Sequence, residues 1–92
     1  MISVQIYSIE GLIFEGEVAA LTSYNEEGEF DILPHHANFI SIIQDKLILR
    51  LPDQEKKSFS LELGVIKHQE EKTKVYLGLE AELLNLDVPA AE

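Results

Sequence analysis

Cysteine is absent from the chain, which removes disulfides, thiolate metal ligands and thiol chemistry together. The 92 residues must hold by packing alone. A chain of this size buries roughly 60–70% of its unfolded surface, enough for one core without staples. No apolar run approaches the ~20 residues that cross a bilayer as a helix. The opening MISVQIYSI alternates apolar and polar residues and has no basic segment, so it does not read as a signal peptide. The expectation is a soluble single domain that reaches a membrane only through a partner.

Bases are missing from the first 45 positions: Lys46, Arg50, Lys56, Lys57, Lys67, Lys72 and Lys74 are all the chain has. Eight acids without a base give the first 45 residues −8, and nine acids against seven bases give the rest −2, making the formal −10. That balance argues against a phosphate backbone as partner, so no nucleic acid is expected. Distributed in this way, the charge is either plain solubilising charge or an acidic face for a basic partner.

What the chain does have is period two. Ile2, Val4 and Ile6 alternate with Ser3, Gln5 and Tyr7; Phe30 and Ile32 with Glu29 and Asp31; Leu47, Leu49 and Leu51 with Lys46, Ile48 and Arg50. Phe59, Leu61 and Leu63, then Val75, Leu77 and Leu79, repeat the pattern. This is the strand period. Turn signals separate the runs at Glu10-Gly11, Glu15-Gly16, Asn25 to Gly28, Pro52-Asp53, Gly64, and Gln69 to Lys72. Half-apolar sheets must cover one another, so the pattern predicts an all-β, two-layered sandwich or barrel dominated by antiparallel hairpins. Residues 1–80 make up the expected domain and 81–92 a short tail. Within that tail, either Glu80 to Leu86 forms two helical turns that Pro89 stops, or Leu83 and Leu86 close one end of the sandwich.

The densest stretch is EGEFDILPHHANF, Glu27 to Phe39. Adjacent histidines on a strand point to opposite faces and cannot share an ion, and His68 is distant in sequence with no obvious third ligand. No metal is therefore assigned. The serines lack a nucleophile elbow, and there is no phosphate loop or dinucleotide fingerprint. Nothing points to a catalytic residue, a cofactor or a small-molecule substrate. As architecture, Gly28 supplies a positive φ, Phe30 and Ile32 enter the core, and Pro34 ends the strand. His35, His36 and Ala37 then form an exposed corner before Phe39, Ile40, Ile42 and Ile43 return to the core.

In this order and spacing the segments resemble the epsilon subunit of F-type ATP synthases, called delta in mitochondria. Glu27 to Ala37 is similar to the family's E-G-x-F-x-I-L-P-x-H-A run, Phe14-Glu15-Gly16-Glu17-Val18 to its F-x-G-x-V, and Leu63-Gly64-Val65 to its glycine pair and following strand. The resemblance covers about residues 2 to 80. It implies a flattened antiparallel sandwich of about eight to ten short strands. It also implies a non-catalytic rotor subunit, peripheral on the cytoplasmic side of the bacterial inner membrane, that couples the gamma subunit to the membrane c-ring. By resemblance, Glu29, His36 and Ser8 face the ring, whose loops carry an arginine in the family.

Two departures stand out. Pro34-His35-His36-Ala37-Asn38 replaces the family's P-G-H-A-P, which changes the backbone freedom of the corner. The chain also ends at Glu92 without the family's C-terminal helical hairpin, so it is expected neither to bind ATP nor to restrain ATP hydrolysis. A free-standing β-sandwich interaction module is the alternative that co-purification would reveal. A small metal enzyme using His35, His36 and His68 is the alternative that metal analysis would reveal.

Overall fold

The computed structural model describes residues 1–78; the expected boundary at 80 and the tail lie outside the described residues. Seven strands follow one another, β1 (Ile2–Ser8), β2 (Gly11–Val18), β3 (Ala20–Asn25), β4 (Gly28–Ile32), β5 (Phe39–Arg50), β6 (Lys56–Gln69) and β7 (Lys72–Leu77). No helix occurs among the described residues. All seven strands belong to one hydrogen-bonded sheet in the order β2-β1-β7-β6-β5-β3-β4. Every pairing is antiparallel except β1 with β7, which sets the first and last strands side by side.

That sheet doubles over on itself. Strands sit about 4.8 Å from their neighbours, so β2 and β6, three steps apart, would be about 14 Å apart in a flat sheet. Yet the Phe14 ring meets that of Phe59 edge-on at 6.4 Å between centroids. Phe30 of β4 likewise meets Phe39 of β5 at 5.1 Å. The fold line crosses the two longest strands. Between Ile43 and Asp45 the β5–β6 register slips: Ile43 pairs with Gly64, Asp45 with Leu61, and Asp45 takes a φ of 74°. One layer therefore holds β2, β1, β7 and the Gly64 end of β6 with the Phe39 end of β5. The other holds the remaining halves of β6 and β5 with β3 and β4. Each long strand serves in both layers, which is how seven continuous strands supply the sandwich expected from about eight to ten short ones.

Because side chains alternate, a one-residue slip exchanges the faces of everything beyond it. On β6 the half-buried residues before the slip are Phe59, Leu61 and Leu63, whereas after it Gly64, Ile66 and His68 are buried and Lys67 and Gln69 exposed. Val4, Ile6, Leu21, Ile32, Ile43, Leu47, Leu49, Ile66 and Val75 close a single core between the layers, each contributing about 1.5–3 kcal/mol by burial.

Three expectations need correction. Gly16 and Gly64 lie inside β2 and β6 rather than in turns, and Ile40 and Ile42 are exposed because Phe39 and Ile43 take the inward phase of β5. Gly64 is glycine for want of room. A Cβ built there would stand 2.8 Å from the Tyr76 carbonyl oxygen and 3.1 Å from a Leu61 methyl, and the carbonyl belongs to the paired strand and cannot move aside. Gly64→Ala is expected to lower stability by about 1–3 kcal/mol as an overpacking change, seen as a lower urea midpoint at unchanged m-value.

Candidate functional site: the histidine corner

Pro34 stops the pairing of β4 and the chain turns through Leu33–Ala37, where the His36 N–H donates to the Leu33 carbonyl at 3.0 Å. His35 makes the turn possible with a φ of 71°, a left-handed conformation uncommon for a residue with a Cβ. Its ring is exposed. His36 is half-buried. Its Nδ1 lies 2.7 Å from the Ala37 carbonyl, and its ring stands edge-on to Phe39 at 5.7 Å and to His68 at 5.8 Å.

His68 was not expected here. Facing inward on β6 opposite Thr73 of β7, it is 1% exposed, with Nδ1 2.7 Å from the Thr73 hydroxyl. Its other ring nitrogen, Nε2, is buried without a hydrogen-bond partner. Burial holds its pKa below the usual 6.5, and the nearby His36 ring lowers it further, while the Glu71 carboxylate and the His36 backbone act the other way. Glu71, in the β6–β7 turn, also reaches the corner: its Oε1 accepts the His35 N–H at 2.8 Å. The sequence did contain a signal for His68, since exposed-type Lys67 and Gln69 on either side imply the opposite face for it. Nothing in the sequence signalled Glu71.

Among the described residues no hydrogen bond, ion pair or ring contact joins Glu29, His36 and Ser8 to one another. Glu29 is exposed on β4, cross-strand from Tyr24. The phenol of Tyr24 is held above its usual pKa by burial first and by the Glu29 carboxylate second. Glu29 shares a shallow cleft with Asp31, Arg50 and Lys56. Ser8 ends β1, where its hydroxyl accepts the Glu10 N–H at 3.1 Å and so shapes the β1–β2 turn. It borders an open groove of about 590 Å³ between that turn and β6, with Ile9, Ile13, Phe59 and Leu63 among its walls. Among the described residues no three His, Cys, Asp or Glu side chains are grouped to hold a metal ion, and no helix is long and apolar enough to cross a membrane.

Residues 1–78, the whole of the described sandwich, match the family of the ATP synthase Delta/Epsilon chain, beta-sandwich domain. The chain belongs to this family. A protein named ATP synthase epsilon chain from Nitratiruptor is 39% identical over 70 residues, covering 75% of this chain and 54% of that one. One of the same name from Sulfurovum is 31% identical over 74 residues, covering 79% and 58%. The chain thus spans little more than half the length of these curated relatives. Among solved structures, one described as Euglena gracilis mitochondrial ATP synthase, OSCP/F1/c-ring, superposes with a TM-score of 0.77 at 19% identity, over 98% of this chain and 63% of its counterpart. At that identity the likeness is one of fold.

The buried histidine is expected to make the domain acid-sensitive. The native state favours neutral His68 while the unfolded chain takes up a proton near the ordinary 6.5, so the stability involved is complete above that pH and is lost as pH falls below it. Urea midpoints should therefore drop between pH 7.5 and pH 5, and drop less in His68→Gln, whose side chain does not titrate. An equal drop in both proteins would place the sensitivity elsewhere.

Proposed function

We propose that the chain is a non-catalytic subunit of the central stalk of an F-type ATP synthase, turning with the rotor and coupling the gamma subunit to a proton- or sodium-driven c-ring. The observation that carries this reading is the family match along the entire described sandwich, in relatives that are named ATP synthase epsilon chain. On this reading residues 1–80 form the sandwich domain and 81–92 a tail. The chain works at the cytoplasmic side of a bacterial inner membrane without entering it, and it uses no cofactor of its own.

Glu29, His36 and Ser8 are proposed to face the ring. The exposure of Glu29 and its fixed place opposite Tyr24 support it as a contact, and the ring packing of His36 supports a corner of defined shape. Since Glu29 lies on β4, Ser8 ends β1 and His36 sits on the corner after β4, the contact would draw on several elements rather than one pocket. An exposed carboxylate meeting an arginine at an interface rim is worth on the order of 0.2–1 kcal/mol, whereas like charges forced together cost several.

Charge reversal is therefore the sharper test. Glu29→Arg should leave the melting temperature of the free chain nearly unchanged, and in a reconstituted synthase it should reduce protons pumped per ATP hydrolysed. His36→Ala should act in the same direction more mildly. Unchanged pumping per ATP with an assembled rotor would remove Glu29 from the ring contact, and failure of the wild-type chain to co-purify with gamma would remove the stalk assignment itself.

A further inference from the structure

One carboxylate oxygen faces two histidines. Glu71 Oε1 accepts the His35 backbone N–H at 2.8 Å, and the same oxygen is 3.9 Å from the buried, unpartnered Nε2 of His68. The second oxygen, Oε2, lies 3.7 Å from His35 Nδ1. Residue 71 is brought there by an unfavourable turn. Gln69 pairs with Lys72, leaving Glu70 and Glu71 as a two-residue hairpin loop with φ values of 52° and 65°. Two consecutive positive φ values are what Asn-Gly or Gly-Gly provides readily. A Glu-Glu pair accepts local strain, as does His35 across from it, and strained backbone persists where surrounding contacts fix it.

We propose that Glu71 is the positioning residue of the His35–His36 corner, and that His68 competes with the corner for the same oxygen, so that a proton taken up by His68 draws the carboxylate inward and releases the His35 N–H. With His68 neutral, Oε1 satisfies His35, the left-handed residue is held, and the His36 ring stays against Phe39 and His68. A proton from solvent on His68 puts a positive charge on a buried nitrogen that has no hydrogen-bond partner. Glu71 is the one carboxylate acting on it, the His36 backbone also favours the charge, and the His36 ring, the other titratable group, opposes it. From β7 the group facing His68 is the Thr73 hydroxyl, at Nδ1, and from β5 its cross-strand partner is Phe39. Neither carries charge. The Glu71 carbonyl is tied separately, accepting the Ser3 N–H at 2.9 Å, so only the side chain needs to move.

The clamp belongs to the free chain. The ring contact proposed above gives it a consequence, a contact surface whose shape follows pH, and is not required for it to exist.

Nuclear magnetic resonance on the full 92-residue chain tests it through two signals, the exchange rate of the His35 amide and the ring titration of His68. In the wild type the exchange rate, corrected for its intrinsic pH dependence, should rise roughly tenfold as His68 titrates below the ordinary histidine value, the worth of one charge-assisted hydrogen bond. Glu71→Ala should show the fast rate at every pH. Glu71→Gln, which keeps an acceptor oxygen but no charge, should restore the slow rate and abolish its dependence on His68, while His68 titrates at lower pH than in the wild type. A His35 amide that exchanges equally fast in wild type and Glu71→Ala would overturn the clamp. Release that persists unchanged in Glu71→Gln would overturn the competition.

Discussion

Everything in the sandwich depends on how β5 and β6 cross from one layer to the other. Two paired strands can bend sharply only where their ladder is interrupted, and a bulge supplies that interruption together with extra twist. Here it takes a left-handed Asp45 and a Gly64 whose missing Cβ lets the Tyr76 carbonyl approach. On one side of the bend the Gly64–Gln69 part of β6 pairs with β7, on the other the Gln44–Arg50 part of β5 pairs with β3, and the two faces close on each other through Phe14–Phe59 and Phe30–Phe39. Without the bend the same seven strands would be one open sheet with an uncovered apolar face.

The same interruption explains what the sequence disclosed and what it hid. Alternation within Ile2–Ile6, Phe30–Ile32, Leu47–Leu49 and Val75–Leu77 was plain because each run keeps one phase, and all of these residues but half-buried Phe30 are buried. Across Gly64 the phase changes. A glycine with flanking apolar residues looks like punctuation, so Leu63, Gly64 and Val65 read as the end of one strand and the start of another. Only the polar neighbours Lys67 and Gln69 tell which way His68 points. The exposed Ile40 and Ile42 misled for a related reason: four apolar residues in five, Phe39 to Ile43, carry no alternation, and burial of Phe39 and Ile43 fixes the phase only once the fold is known.

The corner was legible in outline and not in mechanism. Pro34 as a strand end and Gly28 as a positive-φ turn follow from covalent geometry, and Gly28 has a φ of 115°. At His35, the resemblance to a family with glycine in that place flagged a change in backbone freedom. The φ of 71° shows that the conformation suited to glycine is kept although the residue is not glycine. Its stabilisation comes from residue 71, which is 36 positions away. No local pattern can announce such a contact, because register between β6 and β7 decides it.

Surface charge gives the last contrast between sequence order and space. Read along the chain, acids fill the first half and bases the second. On the sheet, Glu29 and Asp31 of β4 line one cleft with Arg50 and Lys56, because β3 and β5 lie between β4 and β6 in the ladder. Lys67 and Lys74 are cross-strand neighbours, a like-charge pair that costs stability unless its ends diverge into solvent. Gln5 pairs with Lys74 on one side and with Glu15 on the other, and its amide donates to that carboxylate at 2.9 Å. An outward row across β6, β7, β1 and β2 thus passes from lysine to glutamate within one layer. Any partner meets these local pairings, so the strength of an acidic contact at Glu29 is set by Arg50 and Lys56 beside it as much as by the −8 of the first 45 residues.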